Sequence, residues 1–287
     1  MAPKIFNIAT ASDYSISTWL LLGATLQSIL VASLPRTISL LPPIVLITYR
    51  LLHSYLIAIG RLANPITKDI IHGRQTWQIP TPKPTNHNDP NPSESTTSSI
   101  VILVLAASWS HPNGRFSPGS QQLGAYFTRM WDAASANRST YGFLGNTPGL
   151  STHDTGARSD EQGKTVVYLS YWKTLAGLHR FAHGPAHMQG QMWWEQGAAE
   201  AFPHIGIMHE TYEVPAGGWE NVLHNFRPFG MGNAKYPIPH AVGTKSEGVE
   251  DEDVEWVSGL RMVEREDGKT MYGRMGRKVG TPAPAMK

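Results

Sequence analysis

Residues 16–34 are nineteen consecutive positions without a charged side chain. That is the length an α-helix needs to cross a bilayer, so any water-soluble fold must be built from the residues C-terminal to it. A cleaved signal peptide is the rival reading. It is disfavoured by the length of the run, by a second apolar stretch directly behind it, and by the single cation, Lys4, ahead of it. The second stretch, residues 38–59, is ambiguous. Pro42-Pro43 breaks it early, and Arg50 and His53 interrupt its apolar run. An ionised Arg at the bilayer centre costs about 3 kcal/mol on insertion scales. An interfacial helix and a snorkelling second span therefore both stand. Arg36, Arg50, Arg61, Lys68 and Arg74 come after the first span. The positive-inside rule then puts the rest of the chain in the cytosol, on an endoplasmic reticulum membrane.

Residues 78–99 are dense in Pro, Ser, Thr and Asn and cannot bury enough apolar surface to fold, so they read as a flexible linker. The chain thus divides into an anchor of one or two helices (1–77), a linker (78–99), a folded domain (100–240) and a charged C-terminal extension (241–287). The extension holds an acidic run at 247–255 and an Asp267-Gly268 hairpin signal. No chemistry is assigned to it.

Several function classes are excluded. A net charge of +2 gives no basic footprint for nucleic acid. With no cysteine there is no disulfide, thiolate nucleophile, cysteine zinc site or thiolate-ligated haem. Neither a dinucleotide fingerprint nor a P-loop is present, and there is no nucleophile elbow. His209-Glu210 lacks the second histidine of a zinc-protease helix.

Within 100–240, residues 100–106 are a continuous β-branched run, hence a buried strand. Residues 119–137 carry Leu123, Phe127, Met130, Trp131 and Ala134 at helical spacing. Residues 141–145 read as a short strand or turn and 165–171 as a longer strand. Thr174 is a plausible N-cap for a helix over 175–182. A helix containing 191–201, a strand over 205–214 and a final strand over 219–226 complete the domain. The order β-α-β-β-α-β is that of a split βαβ, ferredoxin-like α+β fold.

Four histidines are chemical candidates. His179, His183 and His187 have one-face helical spacing, but Gly184-Pro185 breaks the helix before His187. His179 and His183 read as decoration of a solvent-facing helix. His187 is either a ligand or catalytic group, or a loop-bonding histidine. On the next strand, His209 shares a face with Ile205 and Ile207, and Glu210 points away. A histidine on that buried face needs a partner or a role. Trp172, Trp193 and Trp194 read as core or as the wall of a pocket for a large apolar substrate. Asn137-Arg-Ser139 is a glycosylation sequon that would report a lumenal domain.

The segments 141–145, Tyr171-Trp172 with Leu178 and Phe181-Ala182, His187 with Trp193, 206–217 with Glu220 and Asn225, and 228–232 together resemble monooxygenase-like proteins. These belong to the dimeric α+β barrel superfamily, are relatives of the antibiotic-biosynthesis monooxygenases, and include a membrane-anchored fungal branch in secondary-metabolite pathways. The resemblance implies a ferredoxin-like domain that dimerises face to face into a barrel. It also implies a flavin-free monooxygenase using O2 on an apolar terpenoid or polyketide intermediate. His209, with His187 and Glu210, would be catalytic, and Phe143, Tyr171, Trp172, Trp193 and Trp194 would bind substrate. A weaker resemblance links the domain to haem-containing aldoxime dehydratases, in which case His187 would be the axial ligand and His209 the distal acid/base. A non-catalytic barrel that binds a pathway intermediate is a third reading.

Overall fold

The computed structural model describes residues 14, 16–80, 99–153, 163–239, 254–263 and 270–277. The linker at 81–98, the acidic run up to residue 253 and Asp267-Gly268 lie outside the described residues.

Strand β2 (Ile100–Trp109) is apolar on both faces because it is covered on both. It runs antiparallel between β5 (Lys164–Trp172) and β6 (Ile205–Val214), with Leu105 opposite Tyr168 on one side and His209 on the other. Beyond β5 lie β3 (Phe143–Asn146) and β4 (Leu150–His153). The order β3-β5-β2-β6 leaves β6 on the edge and is the order of a split βαβ unit.

Val101, Leu103, Leu105, Ala107 and Trp109 face the helices. Against them pack Leu123, Phe127, Met130 and Ala134 of α3 (Ser120–Ala136), and, after the short α4 (Arg138–Tyr141), Leu178 and Phe181 of α5 (Leu175–Ala182). Thr174 caps α5 as expected, its hydroxyl accepting from the Gly177 N–H at 3.0 Å. The break at Gly184-Pro185 is also present. Pro185 opens α6 (Pro185–Trp193), where its missing N–H costs nothing. A kink over residues 194–198, with Gly197 at φ 129°, leads to the last turn, α7 (Ala199–Ala201).

The opposite sheet face carries Ile100, Ile102, Leu169 and Tyr171 and is covered by a second layer from the chain itself. In that layer β1 (Ile71–Trp77) lies antiparallel between β7 (Leu223–Phe226) and β10 (Leu260–Met262). A ribbon of β8 (Lys235–Pro239) and β9 (Val254–Ser258) lies beside it. Trp77 is fully buried, and its indole N–H donates to the Ala234 carbonyl at 3.0 Å. Three expectations change here. Residues 71–77, assigned to the anchor, form a strand with the domain. The strand expected at 219–226 is only Leu223–Phe226 and joins the second layer. The C-terminal extension supplies β9, β10 and the short α8 (Met271–Arg274), whose Arg274 pairs with Glu220 at 2.6 Å.

Ahead of the domain, α1 (Ile16–Ser33) and α2 (Arg36–Ala58) are each long and apolar enough to cross a membrane. Pro42 and Pro43 do not break α2, contrary to the expectation. Pro43 has no N–H for the Ser39 carbonyl four residues back, and the Gln27 amide of α1 donates to that carbonyl instead, at 3.0 Å. The same bond clasps the two helices as a hairpin.

Candidate active site

Between the sheet and the helices opens a cavity of about 560 Å³. Its floor is apolar: Leu103 and Leu105 from β2, Leu123, Phe127 and Met130 from α3, and Leu178 and Phe181 from α5. The polar groups sit at its rim. These are His179 of α5, Gln191 of α6, Glu195 in the kink, and His209 and Thr211 of β6, all exposed. His187 lies between floor and rim, half-buried in the first turn of α6.

His209 is on the side of the sheet that the alternation predicts, opposite Leu105. Its side chain is nevertheless exposed rather than buried, because β6 is an edge strand. His187 is more enclosed. Its Nδ1 is buried without a hydrogen bond, and burial lowers its pKa below the ordinary value for histidine. The Ala182 carbonyl, without a formed hydrogen bond, opposes this, while the charges of His209 and His183 add to it. The ring is therefore held neutral near pH 7, and the two cavity imidazoles sense one another.

Residues 100–231, which supply β2, α3, α5, α6 and β6, match the family model described as Monooxygenase af470-like. The domain is similar to that family over these residues. The chain is 25% identical over 277 residues to Monooxygenase af470 of Aspergillus fumigatus, spanning 96% of this chain and 93% of the relative. Among solved structures, an aldoxime dehydratase (OxdRE) in complex with butyraldoxime aligns at 14% identity and a TM-score of 0.34, covering 54% of this chain and 34% of that one. SnoaB, a cofactor-independent oxygenase from Streptomyces nogalater, aligns at 10% identity and a TM-score of 0.24, covering 40% and 91%.

In this domain the expected site residues are divided. His187, His209 and Trp194 share the cavity. Trp193 lies behind Trp194, packed on Tyr126 and Phe202 with ring centroids 5.3 and 6.3 Å away. Trp172 and Phe143 are core, 4.9 Å apart. Trp172 is fully buried, with its indole N–H on the Ser170 hydroxyl at 2.9 Å. Tyr171 is on the far face of the sheet, where burial raises its pKa. Glu210 also points away from the cavity, toward the exposed Tyr212, whose hydroxyl donates to its carboxylate. His183 turns its Nδ1 back to the His179 carbonyl at 2.7 Å, whereas His179 reaches the cavity rim.

Sequence reasoning missed Gln191 and Glu195. With His187 they occur at every fourth position and line one face of the helix, and the Gln191 amide donates to the Glu195 carboxylate at 2.8 Å. Their signal is the spacing from His187, which stays hidden while His187 is read as lying outside the helix that contains 191–201.

Haem does not fit this donor set. An axial histidine normally has its second ring nitrogen held by a hydrogen bond, and the buried Nδ1 of His187 has none. Among the described residues, no Arg or Lys lines the cavity to pair with propionates. No group of three or more metal-ligating side chains occurs among the described residues.

Proposed function

We propose that this chain is a monooxygenase that oxidises an apolar small molecule in the cavity between sheet and helices, without flavin. The observation that carries this is the apolar floor edged by two imidazoles, one exposed and one held neutral. The match of residues 100–231 to the af470-like monooxygenase model supports it. Terpenoid or polyketide intermediates suit the size and polarity of the cavity.

Oxidation without an external reductant requires a substrate that supplies all the electrons. His209 removes a proton from an acidic C–H or O–H group, producing an electron-rich anion. The anion passes an electron to O2, one oxygen atom is retained in the product, and the other leaves as water. Conversion of a CH2 group to a carbonyl releases the four electrons that this needs. His187, uncharged, orients the substrate oxygen, while Trp194 and the α3 wall exclude water. An unactivated C–H bond would not react in this way.

The anchor reading extends to α1 and α2 as two membrane spans with the domain on the cytosolic side. Arg61, Lys68 and Arg74 then lie on the domain side and Arg36 at the opposite turn. Homodimerisation would use the part of the outer sheet face that the second layer leaves open, where Met208 and Tyr212 are exposed.

The test is oxygen uptake by the purified full chain with apolar phenols and 1,3-dicarbonyl compounds under oxygen-18. One labelled atom per product, in a protein without flavin or Soret absorbance, is the expected result. Product without the label would overturn the monooxygenase reading.

A further inference from the structure

We propose that the loop carrying Arg115 and Phe116 is a second membrane contact, seated at the lipid headgroup level beside the start of α1. This rests on the reading of α1 and α2 as spans. The Tyr14 ring, two residues before α1, stacks on Phe116 with centroids 5.9 Å apart and planes 14° apart. Tyr14 also meets Trp19, one turn into α1, edge-on at 5.6 Å. Where α1 enters the bilayer, its first turn lies at the interface, the depth at which Trp and Tyr rings concentrate. Phe116, held against Tyr14, is still 42% exposed, and the Arg115 guanidinium lies 4.9 Å above its ring.

The exit of the hairpin points the same way. The Gln27–Ser39 bond holds α1 and α2 side by side, so the end of α2 and the start of α1 open on one side. Only residues 59–70 separate α2 from β1, and they include Arg61, Leu62, Ile66 and Lys68. Ile66 is 80% exposed. Apolar side chains interleaved with two cations, against the single anion Asp69, on a short tether match an anionic bilayer surface. A bilayer is thus the occupant that continues directly from the spans.

The contact bears on substrate entry. Gly119, at φ +80°, turns the chain into α3, and a Cβ there would meet the Phe202 ring at 2.6 Å. The loop is thus packed on Phe202 where it enters α3, and Leu123, in the first turn of that helix, lines the cavity. On this reading a lipid-dissolved substrate enters by the apolar wall that begins seven residues after Phe116, at Leu123.

Because the chain has no cysteine, single reporters can be introduced into the full-length protein. Phe116→Cys, Ile66→Cys and, as a remote control, Tyr212→Cys would each carry an environment-sensitive fluorophore in phosphatidylcholine–phosphatidylserine nanodiscs. Doxyl lipids labelled near the headgroup serve as quenchers. Labels at positions 116 and 66 are expected to shift to the blue and lose most of their emission to the quencher, and the label at 212, on the proposed dimer face, to remain unquenched. Two unquenched labels at 116 and 66 in a chain that resists carbonate extraction would overturn the loop contact and leave the anchor standing. Equal quenching at 212 would also overturn it. Release of the chain by carbonate would remove the anchor reading, and this proposal with it.

Discussion

His187, in the first turn of a proline-started helix, and His209, paired across the sheet with Leu105, face one cavity, and charge on His209 makes charging His187 harder. Their positions separate their roles. His209 stands at the open rim, where a proton taken from substrate can pass to solvent. His209→Ala is expected to lower kcat for oxygen uptake by about 10²–10⁴, the range for loss of a positioned base, with the melting temperature little changed because the side chain is exposed. Full turnover in this variant would remove His209 from the mechanism.

His187 should leave its mark on stability as well. Its folded pKa is lowered, chiefly by burial, so between that value and the unfolded value near 6.5 the unfolded chain binds the extra proton. The contribution of this group to stability is complete above pH about 6.5 and is lost as pH falls through the folded pKa. Denaturant midpoints of the wild type and of His187→Gln, compared from neutral to mildly acidic pH, should show a shallower decline in the variant. Parallel curves would mean that the ring titrates alike in both states.

Two tryptophans assigned to substrate by the sequence should behave differently. Trp172 is wedged between Phe143 and Phe181, at 4.9 and 4.8 Å, with no solvent exposure. Trp172→Ala should cost about 3–5 kcal/mol of stability, as removal of a buried large aromatic does. Trp194 forms part of the cavity wall, so Trp194→Ala should chiefly raise KM. Urea melts beside steady-state kinetics check both, and a KM effect at Trp172 without destabilisation would contradict the assignment.

The contrast shows what is legible in the chain. Alternation tells the faces of β6 apart, which places His209 correctly and turns Glu210 away from the cavity. The hydroxyl of Thr174 and the ring of Pro185 mark helix ends because capping and a missing N–H act locally. Trp172 is not legible as core, since a tryptophan in a strand reads alike whether helices or substrate cover it. Nor is the continuity of α2, which depends on Gln27 in another helix. The hardest element is β1: Ile71-His-Gly-Arg-Gln-Thr-Trp has no apolar alternation. Its partners, Leu223–Phe226 and Leu260–Met262, lie about 150 and 190 residues away.

That long-range pairing makes a prediction about the soluble part of the protein. A segment beginning at residue 98, where the strand-rich region opens, contains β7 and β10 but not the strand that bridges them. It also lacks Trp77, whose ring packs against Trp219 at 6.2 Å and whose N–H meets the Ala234 carbonyl. Without β1, two strand edges are exposed for pairing with other chains, and the void left by Trp77 lies beside Leu144, Tyr171 and Met231 in the same cluster. Residues 98–287 should therefore elute as aggregates and unfold at lower denaturant than residues 70–287, which retain β1 but neither span. Equal midpoints for the two segments would show that the second layer holds together without its central strand.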